Sequence, residues 1–290
     1  MKGMRAEVLS TRRIGAYCSL TIVAPEIAER ARPGQFLAVR MPAGREFLLR
    51  RHFAIHQASR RGGWAGTLEI VFDVSGPGTS WLAGAKAHGF LEVIGPLGKG
   101  FAYPKRLTNC LLVAEEHGAA PLYFLAQELL ARGKRVDMLM GGESAERVLK
   151  PIEGKRLSQT IAIVTRDGSL GERGAVVDAL PEVAERTQAE VVYAAGAAPT
   201  LHRVAGFCRD RSIPAQVAVE ERMGCGLGLC QTCVVPVGRK DGSGYDHVRA
   251  CVEGPVFDPA RVVWDLWLSP EPTMLPTPPE GLPVVRSWPG

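Results

Sequence analysis

Three cysteines fall within one glycine-rich segment near the C-terminus, Cys225-Gly-Leu-Gly-Leu-Cys230-Gln-Thr-Cys233, and a fourth follows at Cys251. This C-x4-C-x2-C spacing with a distant fourth cysteine is typical of the ligands of a plant-type [2Fe-2S] cluster. Glycine has no side chain and adopts positive φ without strain, so the interleaved glycines let the backbone approach a cluster closely. The segment therefore predicts a [2Fe-2S] cluster bound by four thiolates, which would make the chain an electron carrier.

Other interpretations of these cysteines have less support. Structural zinc sites usually pair two C-x2-C units, and this chain has one. Disulfide bonds need an oxidising compartment, and the N-terminal residues lack the apolar core of a secretion signal. The spacing thus favours the cluster over zinc, disulfides or ordinary buried thiols. The other three cysteines, Cys18, Cys110 and Cys208, stand in apolar surroundings, and we expect them to pack in the core as small apolar side chains.

Composition narrows the class of protein further. The 290 residues are 46% hydrophobic, which suits two or three folded domains. The net charge is +5, but the basic residues are dispersed in pairs such as Arg50-Arg51, so nothing indicates binding to nucleic acid. No apolar run approaches the roughly 18 residues that a membrane span needs. We therefore expect a cytoplasmic protein with no membrane span.

The pattern of apolar and turn residues divides the chain into four parts. Residues 1–103 show short apolar stretches between Gly/Pro turns, which predicts a small antiparallel β-barrel. In residues 104–215 buried strands alternate with helical patterns, which predicts a Rossmann-like α/β domain with a parallel sheet. Residues 216–264 form the predicted cluster module. The many prolines of residues 265–290 predict an extended tail.

Two segments of the barrel region suit a flavin nucleotide. Arg51, in Arg51-His52-Phe53-Ala54-Ile55, can hold a pyrophosphate through two hydrogen bonds. The turn Gly78-Thr79 offers backbone N–H groups and a hydroxyl to phosphate oxygens. Each segment taken alone has an ordinary alternative, which is a surface ion pair for Arg51 and a plain turn for Gly78.

The order of the segments is more specific than any one of them. The barrel motifs are followed by Gly95-Pro96-Leu97-Gly98-Lys99-Gly100-Phe101, an α/β region and then the cysteine loop. This order resembles the ferredoxin-reductase superfamily and, more closely, the electron-transfer subunit of type B dihydroorotate dehydrogenase. The most specific stretches are Val219-Glu220-Glu221-Arg222-Met223-Gly224-Cys225-Gly226 and Gly254-Pro255-Val256-Phe257. The resemblance covers about residues 5–264 and leaves out only the proline-rich tail.

The resemblance implies two cofactors, FAD and a [2Fe-2S] cluster. It implies FAD contacts at Arg51, His52, Phe53, Ala54, Val71, Phe72, Asp73, Gly78 and Thr79. It implies cluster ligands at Cys225, Cys230, Cys233 and Cys251.

The same resemblance implies a partner. Members of the family pair with an FMN-containing catalytic subunit that oxidises dihydroorotate, in a heterotetramer of two plus two chains. Electrons pass from FMN through the cluster to FAD and then to NAD+. The chain itself shows no catalytic acid/base constellation for a second substrate, so we assign it no catalytic residue.

Several positions depart from the family pattern. Where the family usually has a serine whose hydroxyl reaches the flavin, this chain has Ala54, and Asp73 stands where a basic residue is common. The glycine-rich turn that approaches the dinucleotide is replaced by Glu115-Glu116-His117-Gly118. A cysteine near the nicotinamide is replaced by Ala195, and an acidic residue by Arg166.

These departures leave two interpretations of the dinucleotide site. Either it still takes NAD(P), with new contacts from His117 or Arg166, or the two carboxylates exclude it by crowding and by repelling a pyrophosphate. We favour exclusion, because glycine at a turn of close approach is hard to replace.

The sequence therefore predicts an FAD/[2Fe-2S] electron-transfer subunit of a type B-like dihydroorotate dehydrogenase, in pyrimidine biosynthesis. Two alternatives stay open. The chain could serve another complex, such as a hydrogenase, sulfite reductase or transhydrogenase. It could also be a degenerate reductase kept for assembly or regulation of its partner, although such a role would not need four well-spaced thiolates.

Overall fold

The structure is a computed structural model, and it describes residues 1–42, 47–60, 62–106 and 108–269. Its first part is an antiparallel barrel. The barrel strands are β1 (Lys2–Ile14), β2 (Tyr17–Val23), β3 (Phe36–Val39), β4 (Arg51–Ser59), β5 (Thr67–Asp73) and β6 (Phe90–Leu97). They close in the order β1-β2-β5-β4-β3-β6. Two short helices lie in the connections of the barrel, α1 (Pro25–Ala28) between β2 and β3 and α2 (Pro77–Ala83) between β5 and β6. Along β6 exposed and buried residues alternate at first, as expected for a strand with one face on a core. The predicted barrel is confirmed.

The second part is an α/β domain. Its strands are β7 (Asn109–Glu115), β8 (Arg135–Gly142), β9 (Ile161–Thr165), β10 (Glu172–Arg173), β11 (Val191–Ala195) and β12 (Ala215–Ala218). Its helices are α3 (Ala120–Leu130), α4 (Pro151–Arg156), α5 (Val176–Thr187) and α6 (Ala198–Asp210), with 3₁₀ turns at Glu116–Ala119 and Ala145–Arg147. The strands pair in parallel, as predicted. No sequence pattern singled out α5, which has Pro181 in its interior yet buries Val176, Leu180 and Val183.

The C-terminal part joins the same sheet. It contains a hairpin of β13 (Val234–Gly238) and β14 (Tyr245–Arg249), then β15 (Val256–Phe257) and α7 (Trp264–Leu268). β15 pairs antiparallel with β12, which completes a seven-stranded sheet in the order β10-β9-β8-β7-β11-β12-β15. The cysteine loop is therefore tied to the sheet on both sides.

The predicted tail begins differently from expectation. Residues 264–268 are helical, and Trp264 stacks on His202 with 5.4 Å between ring centroids. Trp264 belongs to the core, and Trp267 and Leu268 pack against it, which favours a helix over an extended segment. The rest of the tail, 270–290, lies outside the described residues. The domain limits at 103, 215 and 264 stay a prediction, and β12 crosses the second of them.

A buried polar contact fixes the barrel against the α/β domain. Lys150 Nζ lies 2.8 Å from Glu69 Oε1 and 3.0 Å from His56 Nε2. The other ring nitrogen of His56, Nδ1, is 3.0 Å from the carbonyl oxygen of Ala120 at the start of α3. Burial, with the nearby Lys150 charge, lowers the pKa of His56, so the ring is a neutral acceptor for lysine and a donor to the carbonyl. This contact holds the two walls of the cleft described below.

Of the three cysteines outside the loop, two pack in the core as predicted. Cys110 and Cys208 are buried, and burial raises the pKa of their thiols to about 11 and about 12. Cys18 is only partly buried, since it lies on β2 near the barrel surface. No helix in the described ranges is long and apolar enough to cross a membrane.

Candidate cofactor sites

The cysteine loop already directs hydrogen-bond donors at its thiols. The backbone N–H groups of Leu227 and Leu229 each lie 3.3 Å from Cys225 Sγ. The N–H of Cys225 and the hydroxyl of Thr232 donate to Cys230 Sγ at 3.3 and 3.2 Å. These donors, Thr232 first, lower the pKa of Cys230 to about 6. A loop that stabilises thiolates in this way suits metal ligation, which requires deprotonated sulfur.

The four thiols interact with one another. Cys230 interacts with Cys225, and Cys251 with Cys233. Burial, with the neighbouring Cys233 second, raises the pKa of Cys251 to about 12 in the absence of metal. No three His, Cys, Asp or Glu side chains within the described ranges converge on a single metal-ion position. A binuclear cluster needs two thiolates on each of its irons, and the four cysteines can supply them.

Glycine is required at two points of the loop. Gly226 and Gly228 have φ of +69° and +81°, a region that strains other residues. A methyl group on Gly228 would lie 2.6 Å from Val252 Cγ2, and one on Gly226 would lie 2.2 Å from His52 Nε2. The loop thus packs directly on the barrel strand β4.

A cavity of about 400 Å³ opens between the barrel and the carboxyl edge of the sheet. Its size is in the usual range for small-molecule and cofactor sites. Of the residues predicted to contact FAD, its walls include Arg51, His52, Phe53, Ala54, Val71, Phe72, Asp73 and Thr79. The opposite wall is formed by His117, Gly118, Ala195, Gly196, Glu220 and Met223, among others. The structure therefore brings the predicted flavin residues together beside the start of the cluster loop.

Gly78, also predicted to contact FAD, is not among the cavity walls but packs against Arg51, which is. A methyl group on Gly78 would lie 3.1 Å from Arg51 Nε, so glycine leaves the space in which the guanidinium lies. Arg51 Nη1 donates to the carbonyl of Leu49 at 3.1 Å, and within the described ranges no carboxylate pairs with it. Arg51 lines the cavity, where its guanidinium suits a phosphate.

The hydroxyl of Thr79, which the sequence offered to a phosphate, is hydrogen bonded within the protein. Its hydroxyl accepts hydrogen bonds from the N–H groups of Ser75 and Gly76 at 3.0 and 3.1 Å, and lies 3.1 Å from the carbonyl oxygen of Gly76. The hydroxyl thus holds the turn before α2, and its value to a phosphate oxygen is reduced.

Asp73 is neutralised by a residue that the sequence did not single out. Arg147 Nη1 lies 3.3 Å from Asp73 Oδ2 and 3.1 Å from Glu116 Oε2. These two carboxylates, Glu116 first, raise the pKa of Arg147. The arginine comes from a loop far along the chain and belongs to no recognisable motif. Its single positive charge is shared between the two carboxylates, so it reduces the repulsion that Asp73 would exert on a flavin nucleotide.

The carboxyl edge of the sheet is occupied by the chain's own side chains. Glu115 Oε2 accepts a hydrogen bond of 3.3 Å from the N–H of Ala197, just before α6. A methyl group on Gly118 would lie 2.7 Å from the Cα of Gly196, so the loops after β7 and β11 are in direct contact. A helix N-terminus at such an edge attracts anions, and here the anion is Glu115.

The next two residues of this loop are also engaged. Glu116 has φ of +50°, which glycine adopts more readily, and it is anchored by Arg147. His117 Nε2 lies 3.1 Å from Glu220 Oε1, and this contact raises the pKa of His117 against the opposing effect of burial. Arg166 pairs instead with Glu143 at 3.5 Å and is not among the cavity walls.

Comparisons with known proteins agree with this geometry. The family described as the iron-sulfur cluster binding domain of dihydroorotate dehydrogenase B matches residues 220–263. The protein named dihydroorotate dehydrogenase B (NAD(+)), electron transfer subunit, from Desulforamulus reducens is 35% identical over 83% of this chain and 90% of its own. The protein of the same name from Shouchella clausii is 34% identical over 82% and 88%.

Solved structures show the same architecture. The structure of an NADH-dependent reduced ferredoxin-NADP oxidoreductase, described for flavin-based electron bifurcation, matches with a TM-score of 0.77 and 26% identity over 91% of both chains. A ferredoxin NADP+ reductase from Neisseria gonorrhoeae with bound FAD and NADP matches with a TM-score of 0.57 at 17% identity, which supports the fold alone.

Barrel, parallel sheet and cysteine loop together define a flavin reductase of the ferredoxin-reductase type that carries an iron-sulfur module. The family and this architecture indicate an iron-sulfur cluster and a flavin as its cofactors. The two named relatives share about a third of their residues with this chain over most of its length, which decides the family. The chain belongs to the electron-transfer subunits of dihydroorotate dehydrogenase B.

Proposed function

We propose that this chain carries electrons between an FMN-containing, dihydroorotate-oxidising catalytic subunit and a final acceptor, in pyrimidine biosynthesis. The observation that carries the proposal is the position of the four-cysteine loop against the wall of the flavin cavity. FAD supplies the chemistry that joins single-electron exchange with the cluster to two-electron exchange with an acceptor. The chain's own residues bind and position the two cofactors.

The partner is expected at the exposed face of the cluster loop. Cys230 is exposed, and its neighbour Leu229 is 80% exposed, although leucine side chains usually prefer burial. Covering this apolar tip with a second protein would also bring that protein's redox centre close to the cluster. A heterotetramer of two plus two chains, located in the cytoplasm, is the assembly we propose.

We also propose that NAD+ is a poor acceptor for this particular chain. Its relatives bear NAD(+) in their names. Here, however, the edge of the sheet that a dinucleotide would approach holds Glu115 and Glu116. Glu115 uses the N–H of Ala197, a donor that an anionic ligand would need. A bound pyrophosphate would have to displace this carboxylate and then accept its repulsion.

One titration of the co-purified complex tests both proposals. Dihydroorotate should bleach the visible absorbance of flavin and cluster, and an artificial dye should then reoxidise them quickly. NAD+ should reoxidise them slowly. If the FMN protein that co-purifies belongs instead to a hydrogenase, a sulfite reductase or a transhydrogenase, the assignment of the partner is wrong. Rapid reoxidation by NAD+ would contradict only the proposal about the acceptor.

A further inference from the structure

His52 has a buried ring nitrogen with no hydrogen-bond partner. Nε2 is shielded from solvent, and no residue within the described ranges offers it a well-formed hydrogen bond. The ring belongs to β4 and lies in the wall of the flavin cavity, edge-on to Phe36 with 5.8 Å between ring centroids. Buried polar groups are nearly always hydrogen bonded, so an unpartnered one requires a physical explanation.

The nearest neighbour of Nε2 is the cluster loop. A methyl group on Gly226 would lie 2.2 Å from Nε2 and 2.5 Å from Cδ2, so the ring lies directly against the backbone of this residue. The backbone of Cys225 lies beside the same ring. The imidazole therefore packs against the peptide that joins the first cluster ligand to Gly226.

The same ring touches both cofactor sites. One side of His52 forms part of the flavin cavity, and the other supports the loop that contains Cys225. The φ of +69° at Gly226 lets the loop backbone lie against the ring without an intervening side chain. A side chain in this position is suited to orient a metal ligand, as groups hydrogen bonded to ligands do in other metal sites.

We propose that His52 is a positioning residue for the [2Fe-2S] cluster. When the cluster is bound, the Nε2–H of His52 donates a hydrogen bond to the backbone of Cys225. The donor holds the first ligand in place and partly neutralises the negative charge that the cluster gains on reduction. Hydrogen bonds at the sulfurs and the local exposure set the reduction potentials of such clusters. The proposal rests on the cluster assignment and extends it to a residue of the flavin barrel.

The test uses the intact chain with both cofactors and two variants. His52→Phe keeps the bulk of the ring but has no donor, whereas His52→Gln keeps an N–H donor. An EPR-monitored redox titration should show a more negative cluster potential in His52→Phe. We expect about a tenfold loss in the one-electron reduction equilibrium, ~59 mV, with an altered EPR signal. His52→Gln should restore most of both. His88→Asn, at a side chain that is 86% exposed, serves as the matched histidine control and should change neither.

Several results would overturn the proposal. Equal cluster potentials in wild type and His52→Phe would do so, as would equal shifts in His52→Phe and His52→Gln, since packing alone would then explain them. A shift confined to the flavin potential would assign Nε2 to the flavin instead. Loss of iron in His52→Phe alone supports a ligand-holding donor, and loss in both variants contradicts it. Wild-type protein without iron would disprove the cluster assignment itself.

Discussion

The carboxylate of Glu115 accepts a hydrogen bond from the backbone N–H of Ala197, 3.3 Å away. This contact joins the C-terminal residue of β7 to the start of α6, across the carboxyl edge of the sheet. Ligands of open parallel sheets bind at such edges, where loops from neighbouring strands diverge. In this chain a side chain of the protein has taken one of the donors that a ligand would use.

Replacing Glu115 and Glu116 by glycine should improve the affinity for NADH. The double variant removes two charges whose repulsion of a phosphate is about 1–4 kcal/mol each at close range. It also places glycine at φ of +50°, so the loop should fold without added strain. We expect an affinity gain of about tenfold or more in a NADH titration of flavin absorbance. Ala195 and Arg166 would still limit the gain.

Glu172→Gly, which removes one negative charge from the edge strand β10, is the control for this experiment and should leave NADH affinity unchanged. Rapid stoichiometric bleaching of the wild-type flavin by micromolar NADH would show that the carboxylates do not exclude the dinucleotide.

Arg51→Ala should weaken FAD retention. A charged hydrogen bond to phosphate contributes about 1.5–3 kcal/mol, so the dissociation constant should rise roughly tenfold to a hundredfold. Flavin content after dialysis measures the effect. Arg50→Ala is a matched control, because Arg50 precedes it directly but lies near Glu92, with 4.0 Å between charged atoms. Equal flavin retention in the two variants would mean that Arg51 makes no contact with the cofactor.

Cys230→Ser should remove the visible absorbance of the cluster and loosen residues 216–264. The reason is that ligand binding supplies part of the folding free energy of a small metal module. Iron analysis and limited proteolysis measure the two effects. Cys18→Ser, on the barrel strand β2, should keep full iron content. A wild-type chain that contains zinc in place of iron would refute this prediction.

Glu220→Gln should lower the pKa of His117. The hydrogen bond to Glu220 is the largest cause of the raised pKa, and burial, which then dominates, acts in the opposite direction. An NMR titration of the His117 ring protons measures the shift. His52 provides the control in the same spectra, because its lowered pKa is caused mainly by burial. An unchanged His117 titration would mean that the pair does not form in solution.

The same pair gives a pH window for stability. His117 has a raised pKa, so its contribution is complete below the unfolded value of about 6.5 and is lost as pH rises through the folded value. Glu220 has a lowered pKa, so its contribution is present above about 4.3 and is lost as pH falls through the folded value. Wild type should exceed Glu220→Gln in unfolding free energy mainly between about pH 4.3 and 6.5. The difference should stay within about 1 kcal/mol, because the Glu220 side chain is 64% exposed.

The cluster ligands could be predicted from sequence because their pattern is local. Three of the four cysteines lie in nine consecutive residues, and the glycines between them already specify a tight loop around a metal. The barrel and the parallel sheet were also predictable, since strand periodicity and turn residues are short-range signals. The helix α5 was not predicted, because Pro181 in its interior argues against a helix in the sequence. In the structure the burial of its apolar face stabilises the helix.

Other features exist only in the tertiary structure. The sequence showed Asp73 and Glu116 as unbalanced charges, and folding places Arg147 between them. It showed His52 as one of several flavin contacts, and folding sets its ring against Gly226 of the cluster loop. The sequence by itself predicted the cluster, because residue type and spacing over a short stretch encode its ligands, whereas the flavin followed from the order of segments along the chain. Only the fold decided which charges are paired and which cofactor sites touch, because those contacts join residues distant in the chain and depend on how the domains pack.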